Sequence, residues 1–141
     1  MPLARNIADT VERLPKIIDP RTHAALDYFT AAAFFIAGGL FWPWNRRAAA
    51  SALINGKMVL GMSMLTDYDG DGRRPITFAT HGKLDALQAG LAATLPMILG
   101  FSHEPGSLFF RMQAMNEMMV IALTDWESER SRLKAVKAGI A

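Results

Sequence analysis

The chain is 141 residues long, the size of a single domain. Hydrophobic residues make up 51% of it and charged ones 20%, which excludes a disordered polypeptide. Fifteen Lys and Arg against 13 Asp and Glu leave a net charge of +2, too little for a nucleic-acid partner, and the absence of Cys excludes a disulfide scaffold, a zinc ribbon, an iron–sulfur protein and a thiol nucleophile.

Residues 1–20 lack the apolar stretch of a secretory signal. Leu3, Ile7, Val11 and Leu14 recur at helical spacing, with Arg5, Asp9, Glu12 and Arg13 elsewhere on the wheel. This predicts an amphipathic helix lying on a membrane surface and ended by Pro15. From Tyr28 to Trp44, and again from Ala86 to Ser102, there is no charged residue. Extended back to His23 and His81, each stretch is about 20 residues long, which at ~1.5 Å per residue matches the roughly 30 Å hydrocarbon core of a bilayer. Two further apolar segments carry a few polar interruptions: Ala48 to Thr66 with Asn55 and Lys57, and Ser107 to Thr124 with Arg111, Gln113, Asn116 and Glu117. A surface helix of a soluble bundle needs a polar face at every turn, and residues 31–42 offer none. The sequence therefore predicts an all-α fold, a four-helix transmembrane bundle, with a basic surface tail after Glu127.

The chain also matches itself at an offset of 58 residues. Thr22, His23, Leu26 and Asp27 recur as Thr80, His81, Leu84 and Asp85; Leu65, Thr66 and Asp67 recur as Leu123, Thr124 and Asp125. Tyr68 is replaced by Trp126, Asp69 by Glu127 and Asp71 by Glu129, with Arg74 matched by Arg132. Repeat 1 is read as residues 21–78 and repeat 2 as residues 79–136, followed by the tail to 141. Each unit is a helix pair that enters the membrane from the same side, so the repeats are parallel, related by a pseudo-twofold axis along the membrane normal. Arg5, Arg13, Lys16, Arg21, Arg73, Arg74, Lys83, Arg130, Arg132, Lys134 and Lys137 lie on the signature side, against Arg46, Arg47 and Arg111 opposite. The positive-inside rule then places both termini and the 67–80 loop in the cytoplasm.

These two-helix units, with their H-x-x-x-D opening and T-D-aromatic closing, resemble the SPW-repeat membrane proteins over residues 20–130. Where that family carries Ser-Pro-Trp in the first helix of each pair, this chain has Phe41-Trp42-Pro43-Trp44 and Leu95-Pro96-Met97. The resemblance implies a small bacterial or archaeal multi-pass membrane protein and no assigned activity.

Three constellations can carry chemistry. His23 with Asp27 and His81 with Asp85 are i,i+4 pairs, each on one helix face. They form either a polar clasp, His23 and Asp27 around Asp67 and His81 and Asp85 around Asp125, or a His₂Asp₂ metal site with Asp67 and Asp125 as extra oxygen donors, or ligands for haem. Asp67, Asp69 and Asp71 followed by Gly72 match the first half of a calcium loop, but Pro75 stands at its ninth position and Phe78 at its twelfth, where Glu belongs. Lys57 and Glu117 lie at similar mid-membrane depth and predict a buried ion pair, or a centre for proton or ion passage. No phosphate loop, nucleophile elbow or H-E-x-x-H motif is present, so no catalytic residues and no enzyme activity are expected. The expected role is structural or accessory: a chain in a lipid bilayer, packed against a protein partner in a larger membrane complex or against copies of itself, with no cofactor required. The alternatives are a small carrier or channel at Lys57/Glu117, and a redox protein holding haem or a divalent metal at His23 and His81.

Overall fold

The computed structural model describes residues 2–127 and residue 139. The predicted tail thus lies, apart from Glu127 and Gly139, outside the described residues. Five helices follow one another: α1 (Pro2–Glu12), α2 (Pro20–Phe41), α3 (Arg46–Leu65), α4 (Phe78–Ile98) and α5 (Gly106–Leu123). Two two-residue strands, β1 (Thr66–Asp67) and β2 (Ile76–Thr77), pair in parallel between α3 and α4. The chain is mostly helical, as its periodicity predicts. α2 and α3 are the two described helices long and apolar enough to cross a membrane; α4 and α5 are diluted by polar residues.

The helices start where the sequence supplies caps. The Asp19 carboxylate accepts from the Thr22 backbone N–H at 2.9 Å, with Pro20 in the first turn. Asn45 accepts from Ala48 N–H at 3.0 Å and Thr77 from Thr80 N–H at 3.2 Å. α2 runs into Pro43, and α4 ends two residues before Gly100, whose φ of +70° suits only glycine. α1 stops at Glu12, before Pro15, with Ile7, Val11, Leu14 and Ile17 all left exposed along the 1–20 segment.

α2 and α3 form one antiparallel hairpin and α4 and α5 a second. Contacts of α3 with α4 and of α2 with α5 close the four into a ring. Small residues let the backbones approach: a Cβ on Gly38 would stand 2.6 Å from Leu53, and one on Gly56 would stand 3.2 Å from Phe34 and Phe35. At the end opposite the signature residues, Phe34, Phe101 and Phe110 are fully buried among alanines. There Arg47 ties the two hairpins together, donating to Leu99 and Gly100 carbonyls at 3.1 Å and pairing with Glu104 at 2.7 Å.

Polar side chains share the interior with the apolar core, while much apolar surface faces outward. Side chains buried between the helices include His23, Asp27, Ser51, Asn55, Ser63, His81, Gln88 and Glu117. The outer faces carry Phe29, Ile36, Ile54, Leu87, Leu108, Met112 and Met115, with Leu87 at 72% and Met115 at 70% exposure. In a water-soluble bundle the hydrophobic effect drives the opposite distribution.

Candidate functional site

The signature residues meet at one end of the bundle. His23 and His81 sit in the first turns of α2 and α4, while Thr66 and Thr124 close α3 and α5. Ile18 bridges Thr124 as Ile76 pairs with Thr66, and Lys16 caps the end of α5 through the Ala122 carbonyl (2.6 Å) as Arg74 reaches the Thr66 carbonyl (3.4 Å). Ile18 and Ile76, Thr66 and Thr124, and Lys16 and Arg74 each stand 58 positions apart, although the carbonyls that Lys16 and Arg74 reach are not equivalent, and the bonds cross between hairpins.

The same crossing builds the centre. His23 Nδ1 lies 2.8 Å from Thr124 Oγ1, and His81 Nδ1 lies 2.8 Å from Thr66 Oγ1. Each threonine hydroxyl already donates to a carbonyl one turn back, Thr66 to Met62 at 2.7 Å and Thr124 to Val120 at 2.6 Å. Its oxygen can then only accept, so each imidazole donates through Nδ1–H and turns Nε2 inward. There Nε2 of His81 is 2.9 Å from Asp27 and 3.1 Å from Asp85; Nε2 of His23 is 3.0 Å from Asp85 and 3.5 Å from Asp27. Both imidazoles are fully buried.

Beside the cluster the two repeats differ at Tyr68 and Trp126. Tyr68 donates its hydroxyl to Asp27 at 2.6 Å, whereas Trp126 donates its indole N–H to the Ile121 carbonyl at 3.0 Å. Burial, and next the Asp27 carboxylate beside it, hold the Tyr68 hydroxyl well above the ordinary tyrosine range, so it stays a donor. Phe78 and Trp126 pack with ring centroids 4.6 Å apart, tilted to one another and each edge to face with His23, and Trp126 lies so close to Gly82 that a Cβ there would stand 2.8 Å from the ring. Together with Tyr68 they seal the cluster from the signature side.

The expected clasp of His23 and Asp27 around Asp67, and of His81 and Asp85 around Asp125, is not what the structure forms. His23 and His81 bind threonines and carboxylates of the opposite hairpin rather than Asp67 and Asp125. Asp67 instead accepts from the backbone N–H groups of Asp71 (3.2 Å) and Gly72 (2.6 Å), folding its own loop. Asp125 accepts from Glu127 N–H at 3.1 Å. Asp71 pairs with Arg73 and Asp69 with Arg21, so the half calcium loop spends its acids on backbone and arginine groups. Among the described residues, His23, Asp27, His81 and Asp85 form the one group whose donor atoms converge closely enough, within 4.8 Å of one another, to hold a metal ion. Haem does not fit between His23 and His81. Their rings stand edge to face with centroids 5.3 Å apart, and the Asp27 and Asp85 carboxylates fill the space a porphyrin plane would need.

The Lys57–Glu117 ion pair is not formed: Lys57 is exposed, Glu117 is buried, and no salt bridge joins them. Helix phase explains this. The buried stripe of α3 runs through Ala48, Ser51, Ala52, Asn55, Val59 and Ser63, and Lys57, two residues past Asn55, points the opposite way. Glu117 meets Gln88 instead, the amide group lying 2.5 and 3.1 Å from the two carboxyl oxygens and 2.7 Å from Asn55 Oδ1. Asn55 in turn donates to the Ser51 carbonyl at 2.8 Å. A cavity of about 20 Å³, room for roughly one water molecule, separates Glu117 and Gln88 from Asp27 and Asp85.

Thr66, Thr124, Tyr68 and Gln88 are the site residues that sequence reasoning missed. The two threonines were signalled by their place in the repeated L-T-D closing, and Tyr68 by its place just after it. Gln88, matched by Thr30 in the first unit, had no such signal. The chain matches no family model, no curated protein and no solved structure.

Proposed function

We propose that this chain is an integral membrane protein of structural or accessory type, seated in a bilayer by the outer faces of all four long helices and packed against a partner subunit or further copies of itself. The observation that carries this reading is the placement of side chains: titratable and amide side chains face the bundle axis while Leu87, Met112, Met115 and their neighbours face outward. An apolar belt of that extent in water is an aggregation surface; in lipid it is the seat of the protein. The exposed apolar edge of the 1–20 segment suits a membrane surface. The 58-residue equivalence of caps, bridges and hydrogen bonds supports two parallel repeats of one helix pair, as the SPW-repeat resemblance implies. That reading puts both signature ends on the cytoplasmic side of a bacterial inner membrane. The buried cluster then acts as the clasp locking the repeats together.

Fractionation tests it. The chain is expected to stay with membranes through alkaline carbonate washing, to need detergent for extraction, and to elute from a mild-detergent column as an oligomer or with a stoichiometric partner. Recovery of a monodisperse chain without detergent contradicts the reading.

A second reading, a small carrier, rests on Glu117: a buried carboxyl group facing a water-sized cavity, with the Asp27 and Asp85 carboxylates on the cavity's other side. It no longer involves Lys57. Ion or proton flux in liposomes that Glu117→Gln abolishes would establish it, and equal leak in both proteins would dismiss it.

A further inference from the structure

The central cluster has the donor set, the spacing and the supporting bonds of a metal centre. Two imidazoles whose Nδ1–H groups are committed to threonine direct Nε2 at two carboxylates. Four such donors at these distances need positive charge between them, from a metal ion or from protons on Nε2. The imidazole–carboxylate separations are 2.9, 3.0 and 3.1 Å, with a fourth of 3.5 Å to the other Asp27 oxygen. One donor atom from each of the four residues lies within 4.8 Å of the rest, so small shifts bring them to the roughly 3.3 Å edge of a tetrahedron with metal–ligand bonds near 2.0 Å. Each imidazole is oriented from behind by a threonine that is itself anchored to a helix carbonyl, and Asp27 is held by the Tyr68 hydroxyl. Orienting partners of this kind are what ligating imidazoles and carboxylates carry in metal sites.

Charge points to the class of ion. The carboxylates of Asp27 and Asp85 contribute two negative charges within a buried, low-dielectric end of the bundle. A divalent cation cancels them fully; a monovalent one leaves a residue that the interior does not solvate. Two imidazole nitrogens and two carboxylate oxygens suit zinc and its first-row neighbours, and disfavour calcium and magnesium, which prefer six or more oxygen ligands.

We propose that His23, Asp27, His81 and Asp85 bind one divalent transition-metal ion of the zinc class in four-coordinate geometry, joining the two hairpins at their signature end. Binding at this site does not depend on the lipid reading, since the donors converge whatever solvent surrounds the helices.

The test uses the full chain without a histidine tag, stripped with chelator, and cobalt(II) as the probe. The expected result is a saturable visible absorption of four-coordinate cobalt at one equivalent, displaced by zinc. It is lost in His81→Ala, weakened in Asp85→Asn and unchanged in Glu117→Gln, which lies outside the donor set. Thr66→Val keeps all four ligands and is expected to weaken affinity by roughly 10–100-fold. Three results overturn the proposal: no saturable binding, a six-coordinate cobalt spectrum, or affinity that survives loss of both histidines. Should His81→Ala fail to fold by circular dichroism, Thr66→Val decides alone, and unchanged affinity there overturns the proposal as well. Protons on both Nε2 atoms, in place of a metal, would show as the first of these results.

Discussion

The side chains that matter most are those whose hydrogen bonds leave no alternative direction. Thr66 and Thr124 each give their proton to a helix carbonyl and receive one from an imidazole, so replacing either by Val leaves a buried N–H unmatched. Thr66→Val and Thr124→Val are each expected to cost about 1–3 kcal/mol, and by similar amounts, because the two positions are equivalent. Denaturant unfolding of the solubilised chain, followed by circular dichroism, checks this. Tyr68→Phe removes a hydrogen bond to a carboxylate that has no counterpart at Trp126, and is expected to cost about 1.5–3 kcal/mol. The histidines and aspartates of the centre were legible in the sequence because they recur with identical spacing, which only a shared structural problem explains. Their wiring was not, because spacing along a chain does not say whether a unit closes on itself or on its neighbour. Here the pairing of Ile18 with Thr124 and of Ile76 with Thr66 decides in favour of the neighbour.

At the level of the helices, the four long segments and their order were legible from two uncharged stretches and two apolar ones with polar interruptions, whereas the side-chain caps at Asp19, Asn45 and Thr77 emerged only from the structure, and α5 starts after Pro105 without one. The error at Lys57 came from reading depth without phase: the helical wheel that buries Asn55 and Val59 necessarily turns Lys57 outward. Lys57→Met is therefore expected to leave stability within about 0.5 kcal/mol of the parent in the same unfolding measurement, where a buried pair broken on one side would cost about 3–5 kcal/mol. Close approach of α2 and α3 makes the opposite prediction for a small change. Gly38→Ala drives a Cβ to 2.6 Å from Leu53 and is expected to destabilise by about 1–3 kcal/mol. Gly39→Ala, one residue on and facing open space, is expected to be neutral or to stabilise by up to about 1 kcal/mol. The two-residue strands escaped sequence reading because two residues carry no periodicity; they exist because the helix entries and exits must cross between the hairpins.

For the molecule as a whole, the membrane reading proposed above is carried by polarity: a bundle that buries His, Asp, Asn, Gln and Glu and leaves many Leu and Met side chains exposed has a surface that lipid would cover. Composition alone could not show this, since 51% apolar residues serve a soluble core equally well; only their placement on the outer faces separates the two. The proposed sidedness rests on the basic residues Arg21, Arg73, Arg74 and Lys83 at the signature end, against Arg46, Arg47 and Arg111 at the far end, where Arg47 is matched by Glu104. Because the chain has no cysteine, single substitutions report position cleanly. The most direct test is labelling of Asp69→Cys and His103→Cys, both at exposed positions in opposite loops, with a membrane-impermeant maleimide on intact spheroplasts. A bilayer-spanning bundle with its signature end inside predicts rapid modification at position 103 and none at position 69 until the membrane is opened. Equal modification of the two before opening, or equal protection of both, contradicts it.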